Sequence, residues 1–402
     1  MQTNPSSFLD DLQLHYDFFA PARIAFGWGR RSECGNLARS LGRRALLVCG
    51  SRSLQATGVL DELADCLQRA DVEAVPLVTI THEPEVSDVD EAVGLLLQHD
   101  VGEHDLILAV GGGSAIDLAK AVAALATNRR SDTVRDYLEG VGQGLQIEVP
   151  PLPLMVMPTT AGTGSEATKN AVISSFDPPF KKSLRSELMV PRLVLIDPEL
   201  SVSACKEVTA ATGMDALTQL IESFISRRAK PIPQALCRQG LQLAARCLVE
   251  AVENGTSQPG REGMAQAALL SGMALANSGL GMAHGVAAAL GVHCRVTHGL
   301  ACAVMLPAAM QVNADVRQAE LAEVGTILTS RNWPTNSAAV EAGIERVKQI
   351  SSQIGIPNRL TDIGVQADQI PAIVHSSRGN SMNGNPRELT DEELTRILEE
   401  MF

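Results

Sequence analysis

Between Ala45 and Pro198 short apolar runs alternate with segments of helical spacing, and beyond Pro198 the alternation stops. That change of rhythm constrains the fold more than any single motif. ALLVCG (45–50) is a buried-strand run ending in glycine, residues 58–70 space their apolar positions as a helix does, and VEAVPLVTI (72–80) reads as the next strand. Residues 86–98 are helical again, then DLILAV (105–110) runs into GGGS; LPLMVMP (152–158) and RLVLIDP (192–198) are further strands. Strands separated by helices predict a parallel sheet covered on its faces. Past it, Ala-, Leu- and Met-rich segments at helical spacing occupy 203–228, 233–253, 261–279, 282–290, 300–313, 317–329 and 336–354. The expectation is an α/β parallel-sheet domain over residues 1–197 and an all-α domain over 198–402, with 140–146 the one clearly loose segment and no internal repeat.

The length of 402 residues supports two such cores. Aromatic residues make up only 3%, so the cores must be aliphatic. A net charge of −13 argues against a nucleic-acid binder, which needs basic surface against phosphates, but leaves room for one small basic pocket. The eight cysteines form no CxxC pair, which reads as reduced, mostly buried thiols in a cytoplasm. The start, MQTNPSSFLDDLQLHYDFF, has neither a basic opening nor an apolar run and is not read as a secretory signal. No stretch of about 18 uncharged apolar residues suggests a membrane span.

Three motifs carry chemistry. GGGSAIDLAK (111–120) follows a strand and opens a helix; its glycines allow close backbone approach, Ser114 is a candidate N-cap, and free N–H groups there attract phosphate. A tight strand-to-helix turn with no ligand reads the same way. PTTAGTGSEAT (158–168) also follows a strand and offers Thr159, Thr160, Thr163 and Ser165 beside two glycines, a set suited to a pyrophosphate or carboxamide. Two polar, Gly-rich loops at strand ends of one sheet point to a ligand, since open parallel sheets bind at those carboxyl ends. The third is GMAHGVAAALGVHCRVTHGL (281–300), with His284, His293 and His298 in a chain of eight histidines, joined to Asp215 in GMDALTQLIES (213–223). Asp215, His284 and His298 together suit a divalent first-row metal held open for a substrate oxygen. Asp215 and Gln219 are four apart and share a helix face. His284 and His298 are fourteen apart, about 21 Å along one straight helix, so the chain must break between them; Gly291 is the expected place, leaving His298 on a loop or at a helix start. Cys294 and Cys302 could serve as soft ligands but are read as inert buried thiols, and His293, which could supply a proton path, is read as structural.

These residues resemble the iron-containing (group III) alcohol dehydrogenases, which share a fold with glycerol dehydrogenase and dehydroquinate synthase. GGGSAID looks like the family's pyrophosphate loop, PTTAGTGSEAT like its second cofactor loop, and KKSLRSELMVPRLVLIDPEL (181–200) like the segment closing the nucleotide domain; NPRELT (385–390) is similar to its C-terminal signature. The resemblance implies a Rossmann-like N-terminal domain, a helical C-terminal domain, a nicotinamide cofactor, and iron or zinc. It implies cofactor contacts at Gly50, Ser51, Gly112, Gly113, Ser114, Asp117, Thr159, Thr160, Thr163 and Lys181. It implies metal and catalytic positions at Asp215, His284 and His298, with Gln219 where the family usually has a further histidine. A second family histidine is replaced by Ala288. The expected site is therefore weaker, zinc-like, or empty as isolated. At the end of ALLVCG many relatives carry an Asp that repels a 2′-phosphate; here Gly50-Ser51-Arg52 favours NADP(H) over NAD(H). The implied activity is interconversion of a small alcohol with an aldehyde or ketone by a cytoplasmic homodimer. A cyclising lyase of the dehydroquinate synthase type and a degenerate, non-catalytic nucleotide binder are the alternatives.

Overall fold

The structure is a computed structural model that describes residues 15–50 and 52–402, with residues 52 and 53 described by backbone only. The reading of the first 14 residues as no secretory signal, and that of Ser51 as a cofactor contact, lie outside the described residues. The strands are β1 (Arg23–Phe26), β2 (Arg44–Gly50), β3 (Glu73–Ile80), β4 (Asp105–Gly111), β5 (Leu154–Pro158), β6 (Asn170–Phe176), β7 (Pro179–Arg185) and β8 (Leu193–Ile196). Helices of the first half are α1 (Cys34–Arg39), α2 (Arg52–Ala56), α3 (Val59–Arg69), α4 (Val86–Leu97) and α5 (Gly113–Thr127). The second half holds α6 (Lys206–Ile225), α7 (Pro231–Glu253), α8 (Gln258–Asn277), α9 (Met282–Cys294), α10 (His298–Asn313), α11 (Gln318–Thr329), α12 (Asn336–Gln353), α13 (Ile370–Ser376) and α14 (Asp391–Glu399).

One sheet runs β1–β8–β5–β4–β2–β3 with every neighbouring pair parallel. Strand β4, DLILAVG, is buried throughout, as a central parallel strand covered on both faces must be. Its Leu106, Leu108 and Val110 join Met155, Met157 and Leu195 on one face, under Leu63 and Leu67 of α3. Its Ile107 and Ala109 join Leu46, Val48 and Val156 on the other, against Ile116 and Ala119 of α5. Strand order reverses between β2 and β4, since β3 lies outside β2 while β5 lies beyond β4. The carboxyl ends flanking such a reversal form the usual ligand crevice of an open α/β sheet.

Helix α6 is the axis of the second half: Met214, Leu217, Leu220, Ile221 and Phe224 pack with Leu241 and Leu248 of α7, Met282 and Val286 of α9, and Met305 of α10.

Two features escaped the sequence reading. Strand β1 is only four residues, and β6 and β7 form a separate antiparallel hairpin. The buried positions of β7, Phe180 and Leu184, are four apart, a spacing that a helix also produces. The expected break at Gly291 is corrected: α9 runs through Gly291 to Cys294, and the chain turns at Arg295, whose φ of 57° is left-handed. A non-glycine residue in that region is uncommon and has no sequence signal of its own here. His298 opens α10, as one of the two expected placements has it.

Candidate active site

Helix α6 carries Asp215 and, two turns on, Glu222, on one buried face. The Glu222 carboxylate reaches the start of α9, which no side chain of its own segment caps. It accepts from the backbone N–H groups of Gly281 (3.0 Å), Ala283 (2.7 Å) and His284 (3.3 Å). A carboxylate there also meets the positive end of the helix. The same Oε2 lies 2.7 Å from His284 Nδ1, so Glu222 fixes the ring and leaves Nε2 facing Asp215 Oδ1 at 3.2 Å. His298 Nε2 stands 3.9 Å from Asp215 Oδ1, and its ring centroid 5.5 Å from that of His284. Helix α10 contributes a further group: Cys302 Sγ lies 3.7 Å from His298 Nε2. The ligand atoms of Asp215, His284, His298 and Cys302 all lie within 4.8 Å of one another.

Burial opposes charge on His284, yet the Cys302 sulfur, Asp215 and Glu222 outweigh it and hold the imidazole well above its ordinary value. Burial pushes His298 the other way, down to about 4, Asp215 not fully compensating. Burial also disfavours the charged form of Asp215, but the His298 and His284 rings hold the carboxyl below the usual range. Two acidic side chains, Asp215 and Glu222, thus flank the His284 ring in a buried pocket, a setting that suits a divalent cation. The donor set fits such an ion. His298 Nδ1 is buried without a partner among the described residues, further polar capacity beside the cluster.

The cofactor-loop residues come together at the ends of β4 and β5. A Cβ on Gly113 would lie 2.8 Å from Thr163 Oγ1, and one on Gly112 would lie 3.2 Å from Thr160 Oγ1; the Thr159 N–H bonds the Gly111 carbonyl at 3.0 Å. Gly50, ending β2, abuts the same turn, with its Cβ position 3.2 Å from Gly111 Cα. Ser114 is not the N-cap: Gly112 holds that position and Ser114 lies inside the first turn of α5. No side chain caps α5, so its first N–H groups have no side-chain acceptor, the kind of helix start that attracts anions. Asp117 accepts from Val172 N at 3.0 Å, while its buried Oδ1 has no donor among the described residues. Lys181 pairs with Glu83 at 2.6 Å, and both stand next to His298.

The two sets are joined at Gln219 and at Gly164. The Gln219 carboxamide is engaged at both ends, Nε2 donating to Thr163 O at 3.0 Å and Oε1 accepting from Ser271 Oγ at 3.2 Å, so it braces the second cofactor loop. Gly164 has a φ of +61°, and a Cβ there would sit 2.5 Å from Gly272 Cα of α8; only two glycines let these backbones touch. His293 is turned to Ser376 Oγ at 2.7 Å. Cys302, weighed as a soft ligand but read as an inert thiol, lies within the donor cluster, and Glu222 was not singled out at all. Both were accessible to the helical-spacing rule: Cys302 is four after His298, and Glu222 seven after Asp215.

Helix α10 reaches α6 through Gly299, where a Cβ would lie 2.5 Å from Ala211 O. Gly299→Ala is therefore expected to push the helices apart, costing about 1–3 kcal/mol and weakening metal uptake, because His298 and Cys302 ride on α10. Urea unfolding and metal content check this; parental values for both would contradict the close-crossing argument.

Known proteins show the same architecture. The signature described as iron-containing alcohol dehydrogenase matches residues 21–198, and its C-terminal family signature matches residues 209–402. The chain is similar to an NAD-dependent methanol dehydrogenase of Bacillus methanolicus, 29% identical over 95% of this chain and 98% of the relative. It is similar to a choline dehydrogenase of Bacillus subtilis, 32% identical over 98% and 97% of the two chains. A solved alcohol dehydrogenase from Oenococcus oeni superposes with a TM-score of 0.89 at 32% identity, covering 96% of this chain and all (100%) of that one. Matched in both halves and along nearly its whole length, the chain belongs to the iron-containing alcohol dehydrogenase family.

Proposed function

We propose that this enzyme transfers hydride between NADP(H) and a small aliphatic alcohol or its carbonyl partner, with Asp215, His284 and His298 as the core of a divalent-metal site. The coarser statement follows from the family: the protein is a nicotinamide-dependent alcohol dehydrogenase that interconverts alcohols with aldehydes or ketones. The observation that carries the finer reading is Gln219 beside Asp215 on α6, which ties the donor cluster to the cofactor loop at Thr163. When bound, the metal supplies Lewis acidity toward a substrate oxygen, and the nicotinamide supplies or accepts the hydride.

The chain's own residues do the rest. Glu222 keeps the His284 ring in one orientation, and aliphatic packing buries Asp215 and His284 while His298 stays 26% exposed. Gly112, Gly113, Ser114, Asp117, Thr159, Thr160 and Thr163 bind the cofactor, and Lys181 places a charge beside it. Ala288 offers no proton path, so protons exchange through ordered water or the cofactor ribose. The names of the methanol and choline relatives support a small alcohol as substrate. No single helix among the described residues is long and apolar enough to cross a membrane, and all eight cysteines are free thiols. A cytoplasmic homodimer is part of the same reading.

Reduction of a panel of short aldehydes, before and after chelation and readdition of Zn²⁺ or Fe²⁺, tests the metal. Activity that returns with metal supports it, and full activity in metal-free enzyme refutes it. For the cofactor, catalytic efficiency with NADPH is expected to exceed that with NADH. Gly50→Asp should reverse the order by roughly tenfold to a hundredfold, the effect of a carboxylate facing a phosphate. The Cβ position lies 3.2 Å from Ala115 Cβ and 3.2 Å from Gly111 Cα, so these neighbours must give by a few tenths of an ångström, and the unfolding midpoint of the variant is measured alongside. A parent enzyme that prefers NADH sinks the NADP(H) assignment.

A further inference from the structure

Position 219 holds a glutamine whose carboxamide is committed to Thr163 and Ser271, so a divalent ion at Asp215, His284 and His298 lacks a strong fourth protein donor from α6. The structure supplies one from another helix. Cys302 follows His298 by one turn of α10, is fully buried at 0% exposure, and points its sulfur at the same centre. The edges of the cluster are the evidence. Asp215 Oδ1 to His284 Nε2 is 3.2 Å, Asp215 Oδ1 to His298 Nε2 is 3.9 Å, and His298 Nε2 to Cys302 Sγ is 3.7 Å. Four donors at ordinary zinc bond lengths around one tetrahedral centre lie ~3.3–3.6 Å apart. All four ligand atoms lie within 4.8 Å of one another, so small side-chain adjustments close the gap.

We infer that Cys302 is a metal ligand, completing an Asp–His–His–Cys site in which sulfur takes the place that Gln219 leaves. This rests on the metal reading given above and adds a ligand to it. The chemical consequence is selectivity. A thiolate is a soft donor and favours Zn²⁺ or Co²⁺ over Mg²⁺ and Mn²⁺, whereas carboxylate and imidazole alone discriminate less. Metal entry releases the thiol proton to solvent as the metal–sulfur bond forms. Glu222 stands behind His284 on the opposite side of the cluster and stays a hydrogen-bond acceptor to that ring.

The test uses the full chain, stripped of metal with a chelator and titrated with Co²⁺, in the parent and in Cys302→Ala and Cys302→Ser. The parent is expected to bind one equivalent and to show a near-ultraviolet thiolate-to-cobalt charge-transfer band with intense tetrahedral visible bands. Both variants should lose the charge-transfer band. Cys302→Ala should also bind Co²⁺ more weakly, by more than the ~10–100-fold that follows loss of a hydrogen-bond partner behind a ligand. One equivalent of Co²⁺ with no charge-transfer band in the parent, or an unchanged spectrum in the variants, overturns the sulfur ligand and leaves the Asp215–His284–His298 reading standing. Failure of the parent to bind Co²⁺ or Zn²⁺ at all overturns both together.

Discussion

Asp215→Asn is expected to lower kcat/KM by about a thousandfold or more, with little change in unfolding midpoint. The substitution keeps the shape of the side chain and removes one anionic oxygen from a pocket where Asp215 is 1% exposed. His284 retains its bond to Glu222 at 2.7 Å, so the helix contact survives. What is lost is the charge that, with His284 and His298, attracts a divalent ion and holds it. Activity should follow metal content, and neither should be restored by excess Zn²⁺ at concentrations that saturate the parent. Parental kcat/KM in this variant would move the oxygen-polarising role away from Asp215.

Glu222→Ala should have the largest effect on stability of any single change near the site, about 3–5 kcal/mol, the range seen when one partner of a buried ionic network is removed. Three backbone N–H groups at the start of α9 lose their acceptor together with the His284 ring. Gly281 marks how tight this contact is, since a Cβ there would lie 2.8 Å from Glu222 Oε1. Glu222→Gln preserves the volume but turns one accepting atom into a donor, so it should lose less stability while still weakening metal binding. Urea unfolding of the two variants measures the difference. An alanine variant within about 1 kcal/mol of the parent would show that water replaces the carboxylate, and the capping argument would fall.

The layered first half was legible because buried parallel strands are continuous apolar runs: DLILAV and LMVMP are inside the sheet, and helical spacing separates them. The donors His284, His298 and Asp215 were legible as residue types, and the structure brings them together. Their supports were legible only as neighbours on a helix face, not as partners. Glu222 acts across 62 positions on a helix terminus, and such a partner is visible only once α6 and α9 are packed. Cys302 was hidden differently: buried cysteines are ordinarily small apolar fillers, and only the nearness of three other donors changes that. The turn at Arg295 was missed because glycine is the natural expectation for a chain reversal, whereas here α9 passes straight through Gly291.

The contact between Gly164 and Gly272 bears on how such enzymes can diverge. It joins residues 108 positions apart by backbone alone, with a Cβ on Gly272 falling 2.1 Å from Gly164 O. Neither position can acquire a side chain first and wait for the other to compensate, because both are already at the smallest residue. The pair is therefore a unit of inheritance. Recombination with a breakpoint between the two positions keeps the junction only when the parent supplying residue 164 and the parent supplying residue 272 each have glycine there. Exchange of the segment carrying one glycine is therefore constrained by the residue that the other segment brings to meet it.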